Sequence, residues 1–221
     1  MSTLPPIDDP RVQKVIEQRR TCHVDYPDWW DCIYENFEGS MKEIGVSVDA
    51  DGRYRGIYFS LSYSQGDGAC FDGSVDDWSL FLKAVDPEVS DATIEYARDQ
   101  WSLSWRHRGP YCHSHSVVFD DSIYLNRDTV DDWIEDHKYQ RGMDPFLAEV
   151  KRVGLHKDVE RWPNDPTTWA ADFLRGKMND LYAQLRDEYE YLTSDEYIYS
   201  TLDTWDIPSD ETDCPLTEEA A

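Results

Sequence analysis

No lysine or arginine follows Arg186, while twelve Asp and Glu fall in the same final stretch of the 221-residue sequence. Other absences bound the protein further. No segment approaches the roughly 18 consecutive apolar residues of a membrane-spanning helix. Met1-Ser2-Thr3-Leu4-Pro5-Pro6 lacks the basic and apolar regions of a signal peptide, so a soluble cytoplasmic protein is expected. The five cysteines, Cys22, Cys32, Cys70, Cys112 and Cys214, are odd in number, scattered and without a CxxC pair. That pattern fits reduced thiols better than a disulfide framework.

Cations are scarce throughout: 21 Lys and Arg stand against 46 Asp and Glu, a net charge of −25. Such a field repels phosphate backbones and anionic lipid and attracts basic protein surfaces, so neither free nucleic acid nor a membrane is the expected partner. Solubility is the competing explanation, although a net charge of about 2 to 8 suffices for that in a small domain. What is abundant is aromatic: nine Trp, fourteen Tyr and seven Phe. Disordered polyacids are poor in such residues, so a packed core is expected.

The pattern along the chain implies an α+β fold: an antiparallel sheet of four or five strands, built from two hairpins, packed with several helices and ending in a long C-terminal helix. Pro10 to Arg20 reads as a short helix with Val12, Val15 and Ile16 on one face. Asp28 to Ile44 reads as a second, with Trp30, Ile33, Tyr34, Phe37, Met41 and Ile44 in its stripe and Gly45 as its stop. Val46 to Asp49 and Gly56 to Ser64 are predicted strands around the turn Asp51-Gly52, and Ala69 to Val75 is the hairpin partner returning from Ser64-Gln65-Gly66-Asp67-Gly68. Helices at Asp76 to Val85 and Ser90 to Trp101 precede a second hairpin, Ser102 to Arg108 and Tyr111 to Phe119, across Gly109-Pro110.

Residues 120–166 are polar and give a weak signal, with one helix over Thr129 to His137 capped by Asp128 or Thr129. Thr167 to Leu192 is the strongest helix, because Trp169, Phe173, Leu174, Met178, Leu181, Leu185 and Tyr189 hold a continuous stripe. Thr193-Ser194-Asp195-Glu196 is a capping box for a short helix running to about Asp203. One acidic domain over residues 1–207 and a disordered acidic tail over 208–221 complete the expected organisation.

Four segments carry a resemblance. They are Val24-Asp25-Tyr26-Pro27-Asp28-Trp29-Trp30-Asp31, Ile57-Tyr58-Phe59-Ser60 continuing into Ser64 to Gly73, Arg106 to Ser116 with its R-x-x-G-x-Y-x-H spacing, and Glu188 to Glu196. Together they are similar to a family of phage and prophage proteins often labelled antitoxins of toxin–antitoxin stability systems. The resemblance spans about Val24 to Asp203. It implies a bacterial host cell as the setting and supplies no catalytic residues to carry over.

Three functional readings follow. In the first the protein is not an enzyme and uses no cofactor: it binds a host or cognate protein through that protein's basic, nucleic-acid-binding surface. It would act as an inhibitor of host defence, such as an anti-CRISPR or anti-restriction factor, or as an antitoxin. The candidate contact residues are Glu188, Glu190, Tyr191, Asp195, Glu196, Asp203 and Asp206, because carboxylates spaced along a surface substitute for phosphates in a basic groove. The second reading is an enzyme or small-ligand binder with a polar pocket at Ser64, Gln65, Asp67, His113 and His115. It requires the two hairpin turns to converge.

On a strand, His113 and His115 share a face and could reach one metal ion, with Cys70 or an acidic residue as a third ligand; the lack of C-x₂₋₄-C pairs weighs against it, and no metal is expected. The third reading leaves the acidity to solubility alone, with carboxylates spread evenly. Trp29 either forms a contact patch or packs beneath a neighbouring loop.

Overall fold

The computed structural model describes residues 4–26, 28–49, 56–62, 66–162 and 166–208. The chain divides into two compact units, one formed by Met1–Cys32 with Gln184–Ala221 and the other by Ile33–Ala183. The expected turn at Asp51-Gly52 and nearly all of the expected acidic tail lie outside the described residues.

The central unit is α+β. Helix α2 (Asp31–Glu43) buries Tyr34, Phe37 and Met41 and ends before Gly45. Gly45 has φ +76°, and a Cβ there would meet the Asp77 carbonyl oxygen at 2.2 Å, so both conformation and space demand glycine. Six strands follow among the described residues: β1 (Val46–Val48), β2 (Ile57–Ser60), β3 (Gly68–Phe71), β4 (Gly73–Val75), β5 (Ser102–His107) and β6 (Val117–Ser122). They form a four-stranded antiparallel sheet in the order β1-β4-β5-β6 and a separate two-stranded hairpin of β2 and β3.

Two sequence expectations are corrected here. The predicted strand Ala69 to Val75 is two strands in two sheets, broken at Asp72, and β1 therefore pairs with β4 rather than with the strand after Asp51-Gly52. Asp72 makes the break because it bonds in several directions. Its N–H donates to Gly56 O (2.8 Å), its carbonyl accepts from Asp49 N–H (2.9 Å), and its carboxylate accepts from the Tyr58 hydroxyl (3.1 Å) and from the His107 N–H. Second, the predicted strand Tyr111 to Phe119 begins only at Val117. Residues 108–116 form a loop closing in a 3-10 turn, Ser114–Ser116, in which Ser116 N–H donates to His113 O at 2.8 Å.

The core of this unit is aromatic. Phe71 and Trp105, both almost fully buried, meet edge to face at 5.4 Å, and Phe37 packs on Phe71 at 5.2 Å. Helix α3 (Trp78–Val85) adds Trp78, Phe81 and Leu82, and α4 (Asp91–Gln100) adds Ile94 and Tyr96. Rings at these separations contribute about 0.5–1.5 kcal/mol per pair beyond their burial.

Helix α5 (Arg127–Gln140) is capped by Asn126 in a reciprocal box with Thr129, two or three residues earlier than expected, because Asn126 supplies the extended backbone that Asp128 and Thr129, already helical, do not. Helix α6 (Pro145–Arg161), which the sequence pattern missed, starts at Asp144 and Pro145. At the α4–α6 contact the carboxylate of Asp158, 2% exposed, accepts from Thr93 Oγ1 (2.6 Å), Ser90 N–H (3.0 Å) and Arg161 (2.6 Å). Helix α7 (Pro166–Leu192) buries Ala170, Leu174, Met178 and Leu181 in its central-unit part, with Phe173 against Phe81.

In the terminal unit α1 (Pro10–Arg19) and α8 (Asp195–Thr201) enclose a small aliphatic core of Val12, Val15, Ile16, Ile198 and Leu202. Trp29 and Trp30 lie in the turn before α2 rather than on the helix; both are half-buried, and Trp29 packs on Tyr189 of α7.

Candidate functional site

The C-terminal acidic segment is described through residue 208. Ser194 caps α8 by accepting from Tyr197 N–H (3.2 Å), and a 3-10 turn, Thr204–Asp206, follows. From 187 to 208 the chain carries seven carboxylates and no cation. Four of the seven are drawn into local pairs. Arg20 holds Asp195 and Glu17, each at 2.9 Å, Arg19 holds Asp206, and Arg186 lies 2.9 Å from Asp187 and 3.8 Å from Glu190. The Asp203 N–H and the Arg19 guanidinium together keep the Asp206 carboxyl below the ordinary carboxylate range, and the carboxylates of Glu17 and Asp195 raise the basicity of Arg20. Glu188, Glu196 and Asp203 have no ion pair among the described residues, and Glu190, Tyr191, Glu196 and Asp203 are exposed.

Two exposed aromatics stand in this segment. Tyr191 is a candidate already identified from sequence; the other is Trp205, 92% exposed between Thr204 and Asp206. Trp205 escaped sequence reasoning because it belongs to no periodic stripe. Its signal was a tryptophan flanked by Asp203 and Asp206.

Arginine and lysine elsewhere do not offset this surface. Thirteen of the nineteen described Lys and Arg are engaged in ion pairs with the chain's own carboxylates. Cations so engaged are poorly placed to receive phosphate, and the excess charge facing solvent is negative.

The two hairpin turns lie side by side. A Cβ on Gly66 would meet the Tyr111 ring at 2.4 Å, and one on Gly68 would meet His113 Cα at 2.5 Å. Asp67 and His113 are thereby on adjoining loops. Ser64 and Gln65 lie outside the described residues, and His115 is exposed. Asp67 Oδ1 accepts from Ser60 Oγ (2.9 Å), Ser62 N–H (3.0 Å) and Ser62 Oγ (2.8 Å), which commits that oxygen to closing the turn. His113 Nδ1 lies 3.2 Å from Ser116 Oγ. The His113 and His115 rings are 6.1 Å apart, on a loop rather than on the strand expected. Burial pushes the thiols of Cys70 and Cys112 up, with Cys112 adding to the effect on Cys70 and Asp67 to that on Cys112. Both are poor nucleophiles at neutral pH. Among the described residues no group of three or more His, Cys, Asp and Glu is arranged to hold a metal ion.

A third feature had no sequence signal. An open cleft of about 460 Å³ runs along β1, which among the described residues pairs with β4 on one side only, between Glu38 and Lys42 of α2 and Ser47, Asp76, Asp77 and Leu80. Glu38 Oε1 is buried and makes no hydrogen bond among the described residues.

A family model described as a domain of unknown function (DUF8835) matches residues 29–195, more than two thirds of the chain. No curated protein and no solved structure matches.

Proposed function

The chain belongs to the DUF8835 family, and we propose that it is a non-enzymatic inhibitor that binds the basic, nucleic-acid-binding surface of another protein. The setting is a phage or mobile element acting in the bacterial cytoplasm, and the target is a host defence protein or a cognate toxin. One observation carries this reading: an almost fully exposed Trp205 in a segment of seven carboxylates and no cations. Solvent-facing Trp and Tyr are the residues around which protein contacts concentrate their energy. A surrounding excess of carboxylate selects a partner rich in Lys and Arg, which is what a phosphate-binding groove offers.

The residues assigned to the contact are Tyr191, Trp205, Glu188, Glu190, Glu196 and Asp203, with Asp195 and Asp206 shared with Arg20 and Arg19. The test is a binding panel of nucleases and defence effectors from the host, measured across ionic strength and in competition with DNA and RNA. Affinity should fall steeply with salt, nucleic acid should compete, and Trp205→Ala should weaken the complex by at least about tenfold. Binding that ignores salt, or a complex that still takes up nucleic acid normally, rejects the mechanism.

The adjoining turns favour a second reading, a polar small-ligand site that includes Asp67 and His113. Its check is an NMR titration with pools of small polar metabolites. Shifts confined to residues 60–68 and 107–116 would support it, and a silent spectrum would remove it.

A further inference from the structure

Helix α6 is apolar on two opposite sides. Its inner side buries Ala148 and Leu155 and the satisfied carboxylate of Asp158. At 100° per residue, Phe146, Val150 and Val153 fall in one line on the far side, and Lys157 continues it. Phe146 is 78% exposed, Val150 53% and Val153 47%, with Leu147 beside them also exposed. Solvent-exposed helix faces are normally polar, and a contiguous row of this kind marks a contact surface.

The neighbouring helix indicates what kind of partner would cover it. A row of ion pairs joins the two helices: Arg152 reaches Asp131 (2.9 Å) and Glu135 (3.0 Å) of α5 as well as Glu149, and Arg127 pairs with Glu160. Beyond that seam, on the solvent side of α5, Asp128, Asp132 and Asp136 recur at every fourth position and are all exposed. None has an ion pair among the described residues. The outer face of the α5–α6 hairpin therefore runs from an apolar ridge, across an internally neutralised seam, to an anionic ridge.

We infer that this face docks a cationic amphipathic protein segment, one that lays an apolar row on Phe146, Val150 and Val153 and a parallel row of Lys or Arg on Asp128, Asp132 and Asp136. Charge complementarity selects this occupant. A second copy would bring −25 against −25, and an anionic membrane would be repelled. A basic helix satisfies both ridges at once, by the groove-binding mode in which apolar anchors recur every three or four residues. This inference goes beyond the C-terminal reading and holds whether or not the partner ever binds nucleic acid.

The experiment uses the full chain and a fluorescent synthetic helical peptide of about 18 residues with adjacent Leu and Lys stripes, a length sufficient for helix formation once one face is buried. Fluorescence anisotropy should show saturable binding. The double variant Phe146→Ser/Val150→Ser should weaken it at least tenfold, and Asp132→Asn/Asp136→Asn should weaken it several-fold and flatten its salt dependence. All four side chains are exposed, so circular dichroism should be unchanged. The variant Trp205→Ala should bind this peptide as the parent does, which separates this face from the C-terminal surface. Equal affinity of the α6 double variant and the parent overturns the inference. So does equal binding of a peptide with Glu in place of Lys, a concentration-dependent dimer in sedimentation that the α6 variant abolishes, or uptake onto zwitterionic lipid vesicles that outcompetes the peptide.

Discussion

The two units of the chain are held by different means. The terminal unit carries five Lys and Arg against eighteen Asp and Glu, a net −13, whereas the central unit, more than twice as long, carries sixteen against twenty-eight, a net −12. The terminal unit buries seven aliphatic residues among the described ones, five of them in one cluster, whereas the central core is built on clusters of aromatic rings. Negative charge is thus densest where buried apolar area is smallest. The lesson is that ion pairs matter more to the terminal unit, because there is less burial to outweigh the mutual repulsion of its carboxylates.

The largest expected effect lies in the central core. Phe71→Ala removes the ring between Phe37 and Trp105 and should cost about 3–5 kcal/mol, read as a lower urea midpoint by tryptophan fluorescence. A loss below about 1 kcal/mol would mean that the aromatic set does not hold this unit. Ile198→Ala should cost about 2–5 kcal/mol of local stability and speed hydrogen exchange in α1 and α8 while leaving β5 and β6 protected. Equal acceleration in both units would erase the contrast between them.

Smaller again is the arginine pairing. Arg20→Gln should cost at most about 1 kcal/mol, since the side chain is 38% exposed, and added salt should reproduce part of the loss in the parent. A double-mutant cycle with Asp195→Asn isolates the pair.

The smallest effect is the response to acid. Hydrogen bonds donated by Arg11 lower the Asp9 carboxyl to about 2, and Asp206 is lowered by the Asp203 N–H and Arg19. Groups whose folded pKa is depressed stabilise the fold above their unfolded value and lose that contribution as the pH falls through the folded one. In the central unit Asp99 behaves likewise, chiefly through the Trp133 indole. Two of the three anchors being terminal, an acid titration followed by NMR should loosen α1 and α8 at a higher pH than β5 and β6; simultaneous loosening would break the comparison.

Much of this architecture was legible in the sequence where one period ran without interruption. The stripe from Trp169 to Tyr189 marks α7 nearly to the residue, and Gly45 marks the end of α2. Helix α6 was not legible, because apolar residues on both of its faces cancel the periodicity on which such readings depend. The break at Asp72 is not legible either, because β-propensity on both sides reads as one strand and only long-range hydrogen bonds reveal two. The anionic segment was visible as a charge run, but its partial neutralisation by Arg19 and Arg20 depends on contacts about 175 or more residues apart in sequence.

Asp72 also has a kinetic meaning. The β2–β3 hairpin closes over a short loop and is quick to form, whereas β4 pairs with β5 only across two intervening helices. The residue between them touches both, through Tyr58 on the early hairpin and the His107 N–H on the late strand. Until β5 arrives, one oxygen of that carboxylate lacks its final donor, so the hairpin on its own is an incomplete product. One hydrogen-bonded side chain therefore joins a fast local event to a slow distant one, and Asp72→Ala should let the two sheets be lost in separate steps.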